Sequence, residues 1–375
     1  MASLSAELTE SRSVNDPHAP KDLIASLPHR LAALSPYRLL LSMAALGLLV
    51  SCGQPAQKPR LHTFTGPTMG TSYTVKVVAD SLDKERRAAL QKLIQGRLAA
   101  VNAKMSHYLG DSELTLLNQW QSDEPYSISQ ETFEVLDHAL RVSQLTGGAF
   151  DITIGPLVDA WGFGPPGRPA DPPDQQVIDR LLAVTGWEFL ELLPDGPAVR
   201  KLVPQLSLDL SAIAKGFGVD QVAEGLESED VQHFMVEVGG EVRTSGSNPN
   251  GNPWRIAIEI PDPSKRGVQL VIPLTNLSLA TSGDYRNYYE EGGKRISHTI
   301  DPRSGWPISH AVASVSVVHK ECVQADAFAT ALLVLGPEGF ELAEELGLAA
   351  FFLARQPDGT FAERRTTTFT SLVKN

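Results

Sequence analysis

Apolar positions along this chain follow two periods, and the balance between them changes midway. Leu90, Leu93, Ile94, Leu98, Val101 and Met105 recur at helical spacing and predict a helix within 82–105. Shorter helices are predicted over 112–119, 131–145 and 175–184, the middle one closed by Gly147-Gly148. Ahead of them, Tyr73, Val75 and Val77 alternate as in a half-buried strand, within a β-type stretch 64–78 turning at Gly66-Pro67. Pro165 to Pro173 reads as a proline-rich surface loop. From residue 207 strands dominate. Residues 207–210 read as a strand leading into a helix over 213–226, and 234–238 with 241–244 as a hairpin about Gly239-Gly240. Residues 254–260, 270–274, 277–281 and 313–319 are further strands. Helices follow over 326–335 and 337–346, then closing strands over 351–353 and 361–369. Runs of strands with unevenly spaced helices predict an α+β fold. Its sheets should be mixed and mainly antiparallel, with flanking helices.

One apolar run fits neither period. Leu39–Val50 has twelve apolar or small residues behind Arg30 and Arg38, too few for a membrane-spanning helix, which needs roughly 20. It fits the core of a secretory signal. The run ends Leu49-Val50-Ser51-Cys52-Gly53, which resembles the lipobox of bacterial lipoproteins. Residues 1–51 are therefore expected to be a lipoprotein signal peptide with an atypically long leader, and 52–61 a tether. Cys52 is then the lipidated residue, anchoring the chain on the periplasmic side of a bacterial membrane. The alternative is a buried helix with a core cysteine. With Cys52 lipidated, Cys322 stands alone and no internal disulfide forms.

Composition narrows the class. A 42% hydrophobic chain of 375 residues supports a full core and excludes bulk disorder. A net charge of −12 argues against nucleic acid as a partner, since phosphates need a basic face. Two cysteines exclude a disulfide-rich scaffold and a Cys₄ zinc site.

Four segments carry candidate chemistry. Asp326 and Thr330 are four apart, so a carboxylate and a hydroxyl point together from a helix, both hard donors suited to Mg²⁺. From the spacing alone, an N-terminal helix Asp stabilised by the dipole, with an inward Thr, is the simpler explanation. Asp209 to Gly218 runs into a small-residue helix start with Lys215, where free N–H groups favour an anion; an ordinary helix with a surface Lys is the plain alternative. Gly147 to Thr153 pairs two glycines with Phe150 and Asp151, the latter among apolar neighbours. The stretch from Ser282 to Gly305 gathers Arg286, His298, Asp301 and Arg303, beside a good Asp-Pro turn signal.

None of these segments is specific by itself, but their order is. "GPTMGTSY", "GAFDITIGPL", "DLSAIAKGFGVD", "VEVGGEVRTSG", "ATSGDYRNYYEEGGKRISHTIDPRSGWPI" and "ADAFATALLVLG" together resemble the flavin transferase (ApbE) family, from about residue 64 to 353. The resemblance implies a single catalytic domain over 62–375. It implies transfer of FMN from FAD to a Thr or Ser hydroxyl of an acceptor protein, with Mg²⁺, releasing AMP. Acceptors would be flavin subunits of membrane redox complexes, of the sodium-pumping quinone reductase or Rnf type. A metal-dependent FAD pyrophosphatase and a non-enzymatic FAD-binding lipoprotein are the alternatives. By the same resemblance Met69, Tyr108, Ala149, Phe150, Asp151, Asp209, Lys215, His298 and Ile300 contact FAD. Ala212, through its carbonyl, Asp326 and Thr330 hold the metal. Lys215 and Arg286 would neutralise charge, and Asp326, His298 and Asp301 are candidates for the base that deprotonates the acceptor. Some family members carry a second acidic residue just before that Thr; here it is Ala329.

Overall fold

In the computed structural model, the described residues are 59–374 without 263, 265 and 266. The expected signal peptide, Cys52 and most of the expected tether lie outside them.

The first half contains β1 (Arg60–Thr68), β2 (Thr71–Ala79), α1 (Lys84–Met105), α2 (Glu113–Gln119), β3 (Tyr126–Ser127) and α3 (Gln130–Leu145). Then come α4 (Gly155–Ala160), α5 (Gln175–Leu182), β4 (Leu190–Leu193) and β5 (Ala198–Lys201). The second half contains α6 (Ala214–Ser228), β6 (Phe234–Val238), β7 (Glu241–Ser245), β8 (Trp254–Glu259), β9 (Val268–Leu274) and β10 (Ser278–Gly283). It continues with β11 (Tyr288–Glu291), β12 (Lys294–Ser297), β13 (Val312–His319), α7 (Cys322–Leu335), α8 (Pro337–Glu345), β14 (Ala349–Arg355), β15 (Phe361–Arg365) and α9 (Thr367–Val373). Arg60 and Leu61, expected in the tether, already belong to β1.

An eight-stranded sheet in the order β1-β2-β6-β7-β10-β13-β14-β15 forms the centre, and its neighbouring strands pair antiparallel. Alternation along its strands divides the core. Val236 faces a helical layer with Leu90, Ile94 and Val222, whereas Met235 faces the β8–β9 hairpin and α9. β13 is covered on both faces, so it reads as a continuous apolar run.

The early helices carry their own caps: Asp83, Ser112 and Ser129 each accept an N–H from their first turn. α6 and α7 have no side-chain cap of their own. They cap each other instead. Asp220 of α6 accepts the N–H groups of Cys322 (3.0 Å) and Val323 (2.8 Å), and Asp326 of α7 accepts that of Gly216 (2.9 Å). α7 thus starts one turn earlier than the sequence reading placed it, so Asp326 lies inside the helix rather than at its start.

Three expectations need correction. The first hairpin turns at Met69-Gly70, with Gly66 and Pro67 inside β1. Pro67 is tolerated because β1 is an edge strand. Gly66 is required because its cross-strand partner Tyr73 lies over it: a Cβ there would stand 2.7 Å from the Tyr73 ring. Residues 207–210 are not a strand. The Asn118 side chain stands in for a neighbouring strand, donating to the Leu208 carbonyl (2.8 Å) and accepting its N–H (2.7 Å). Residues 361–369 are a strand and then a helix, because Thr366, still bonded to Ala350 of β14, caps α9 by accepting the N–H of Phe369. Two hairpins were not anticipated, β4–β5 and β11–β12, both short and poorly alternating. Gly292-Gly293, which lacks the rest of a phosphate loop, is the turn of the second.

Lys201 supports the segment held by Asn118. It is 1% exposed, and its ammonium donates to the carbonyls of Leu117 (3.2 Å), Asn118 (3.4 Å) and Leu206 (3.2 Å). Burial depresses its pKa to about 8. Its unfolded value is near 10.5, so the penalty for burying the cation is full below about pH 8 and fades as the pH rises toward 10.5. Wild type should therefore gain roughly 2–3 kcal/mol relative to Lys201→Met between pH 7.5 and 10. Urea unfolding at the two pH values measures this, and a pH-independent difference would refute it.

Candidate active site

β7 and β10 pair over only two positions, Arg243 with Ser278 and Val242 with Leu279. Beyond them the strands part. A cavity of about 500 Å³ opens there, lined by Gly239 to Val242 on one side and by Thr281 to Gly283 on the other. That volume suits a small-molecule ligand. β8, the segment after α3, the loop before α6 and the segments flanking the β11–β12 hairpin complete the walls.

The floor is charged. Lys215, second residue of α6, places its ammonium 2.9 Å from Glu241 and 3.7 Å from Asp326. The two carboxylate side chains are 5% and 4% exposed. Burial raises the pKa of both, to about 7 for Glu241, against the pull of Lys215. Burial disfavours the lysine cation, but Asp326 and Glu241 override it and hold its pKa above the ordinary value. One cation thus serves two carboxylates, and Glu241 Oε2 is buried without a hydrogen-bond partner. The helix start at Lys215 does attract an anion, as the sequence suggested, but the Gly216 N–H holds the protein's own Asp326. Thr330 lies one turn along α7, its hydroxyl 2.8 Å from that of Ser282. Asp326, Thr330 and Ala212 all line the cavity. Among the described residues no three of His, Cys, Asp and Glu gather as a metal-binding group.

Most of the other expected residues converge here. Tyr108, Ala149, Phe150, Asp151, Asp209, Arg286, His298 and Ile300 line the cavity. Asp151 is raised by burial, against hydrogen bonds from Thr153 and the Trp187 N–H that fix it in place. Asp209 accepts the Ser211 N–H (2.8 Å) and lies 3.5 Å from His107. Arg286 is paired with Glu259, so its charge is already partly met. His298 faces the Asn287 carbonyl through Nδ1 at 3.0 Å, and burial lowers its pKa.

Two expected residues are placed elsewhere. Met69 sits at a positive φ of 47° in the β1–β2 turn and lines a separate pocket with Tyr73, Leu98 and Asn102. Asp301 is outside the cavity lining: its two oxygens hold Arg303 at 2.9 and 2.8 Å, and its carbonyl accepts the Gly305 N–H. It shapes the turn that carries Ile300 and Pro302 to the wall. Glu241 and Phe163 were missed. Glu241 follows Gly239-Gly240 and reads as an ordinary strand start. Phe163 lies just ahead of the proline-rich stretch and stacks on Tyr289 with ring centroids 5.4 Å apart.

The fold and its split sheet define an α+β protein with one deep, charged ligand cleft, of the kind that binds a nucleotide-sized molecule. The chain belongs to the ApbE family, whose model matches residues 69–352. A Vibrio cholerae protein described as FAD:protein FMN transferase is 44% identical over 331 residues, 88% of this chain and 97% of that one. An Escherichia coli protein of the same description is 38% identical, over 84% and 92%. Among solved structures, flavin transferase ApbE from V. cholerae superposes with a TM-score of 0.77 at 42% identity, covering 84% of this chain and 99% of the other. The apo flavinyl transferase ApbE from Pseudomonas stutzeri gives 0.77 at 39%, covering 84% and 98%.

Proposed function

We propose that this chain transfers FMN from FAD to a Thr or Ser hydroxyl of an acceptor flavoprotein subunit, through a phosphoester bond, releasing AMP. The observation that carries the reading is the Lys215–Glu241–Asp326 cluster, both carboxylates buried, opening into a cavity walled by Phe150, Ile256 and Phe163, in a chain of this family. The acceptor oxygen attacks the FMN phosphorus, the bond from that phosphorus to the AMP oxygen breaks, and the hydroxyl proton passes to a base. Such a reaction asks for positioning and charge neutralisation more than for covalent protein chemistry.

Lys215 contributes fixed positive charge beside the helix start. Asp326, Thr330 and the Ala212 carbonyl would hold Mg²⁺, a donor set of hard oxygens that suits a cation sharing its shell with substrate phosphates. The excess negative charge and the unpartnered Glu241 Oε2 fit a cation there. Bound Mg²⁺ supplies charge neutralisation of the diphosphate. Of the candidate bases, Asp301 is tied to Arg303 and Asp326 to Gly216 and Lys215. His298 suits the role best. Burial favours its neutral form, and an Nδ1–H donated to Asn287 leaves Nε2 as the proton acceptor.

Cys52 is the proposed lipid anchor, on the periplasmic side of the membrane. The proposed acceptor is a flavin subunit of a membrane redox complex, of the sodium-pumping quinone reductase or Rnf type. The test is incubation with FAD, Mg²⁺ and a flavin-subunit peptide, read by mass. A gain of one FMN on the peptide with release of AMP is expected. Free FMN and AMP without a modified peptide would make the chain a pyrophosphatase, and unchanged FAD a flavin-binding protein.

A further inference from the structure

We propose that Glu241, from strand β7, supplies a second carboxylate toward the bound cation, beside Asp326 of helix α7. This deepens the Mg²⁺ reading above and rests on it.

α7 contributes one acidic side chain to the cleft. Position 329, directly before Thr330, is an alanine, fully buried in the apolar cluster beneath the helix. It has no donor to give. Glu241 approaches the same cluster from another element. It is the first residue of β7, at the place where β7 and β10 part, and its side chain is 5% exposed and lines the cavity. Oε1 is occupied by Lys215 at 2.9 Å. Oε2 is buried and has no hydrogen-bond partner. A buried carboxylate oxygen is normally paired. Lys215 does not answer for it, because that ammonium is shared with Asp326 at 3.7 Å. Two buried carboxylates share one ammonium, and a hard cation held through oxygen donors offsets the negative charge that the ammonium leaves unmet.

A competing role for Glu241 is to hold Lys215 alone. That role accounts for Oε1 and leaves Oε2 unexplained. A double-mutant cycle separates the two. Mn²⁺ is titrated into the full chain without FAD or acceptor, and free Mn²⁺ is read by its paramagnetic resonance signal. Glu241→Gln keeps the shape of the side chain and should weaken Mn²⁺ binding at least tenfold, both in the wild-type background and with Lys215→Met. A loss below tenfold, or one that vanishes with Lys215→Met, overturns the proposal. A second measurement needs no variant. Mn²⁺ should broaden the Glu241 carboxylate signal of ¹³C-glutamate-labelled wild type, and an unbroadened signal overturns it equally. If the wild type shows no saturable Mn²⁺ binding, the cation reading of the whole site fails. Unchanged wild-type binding in the Glu241→Gln chain removes only the role of Glu241.

Discussion

Asp326→Asn is expected to lower FMN transfer by a factor on the order of 10²–10³ while leaving the chain folded. The size follows from removing one preorganised electrostatic group from a water-poor site. Asparagine fills the same space, and its carbonyl oxygen can still accept the Gly216 N–H that Asp326 accepts at 2.9 Å, so the mutual capping of α6 and α7 persists. The charge does not persist. The site loses its carboxylate from α7, and Lys215 keeps only Glu241 as a counter-charge. Single-turnover transfer from FAD to an acceptor peptide, alongside the thermal midpoint, gives the answer. Transfer within tenfold of wild type, in a folded variant, would remove Asp326 from the chemistry.

Gly216→Ala should cost about 3 kcal/mol or more of stability, by overpacking. A Cβ at 216 would stand 2.5 Å from the Cys322 carbonyl oxygen and 2.8 Å from the Asp326 Cβ. The first contact is backbone and cannot rotate away. α6 and α7 would have to separate, and with them the caps each gives the other. For a chain of this size the midpoint should fall by roughly 4–5 °C. Transfer should fall as well, because Lys215 and Asp326 ride on the two helices that move apart. A melting temperature within a degree of wild type would show that the helix pair absorbs the methyl group.

Much of this was legible in sequence because the signals are local. The helical spacing of Leu90 to Met105 became α1, and the alternation of Ile256 and Ile258 became β8, whose inward side chains wall the cavity. Gly239-Gly240 marked a hairpin, and the structure has one. The misread segments depend on distant partners. Residues 207–210 look like a strand, but their partner is the Asn118 side chain, ninety residues earlier. Thr366 continues an apparent strand until its hydroxyl binds the carbonyl of Leu348 and it turns to cap α9.

The same division holds for the site. Sequence by itself determined the fold class, the family through the order of its motifs, and Asp326, Thr330 and Lys215 as residues worth watching. It also set the net charge of −12 against an anionic ligand. Only the tertiary structure decided how that opposition is met. It tied Asp301 to Arg303 outside the cavity, set Met69 in another pocket, and joined Glu241 to Lys215 and Asp326 across three separate elements. The reason is physical. Spacing along one helix fixes which side chains share a face. Which buried carboxylates share a single ammonium depends on how helices and strands pack, and no local pattern records that.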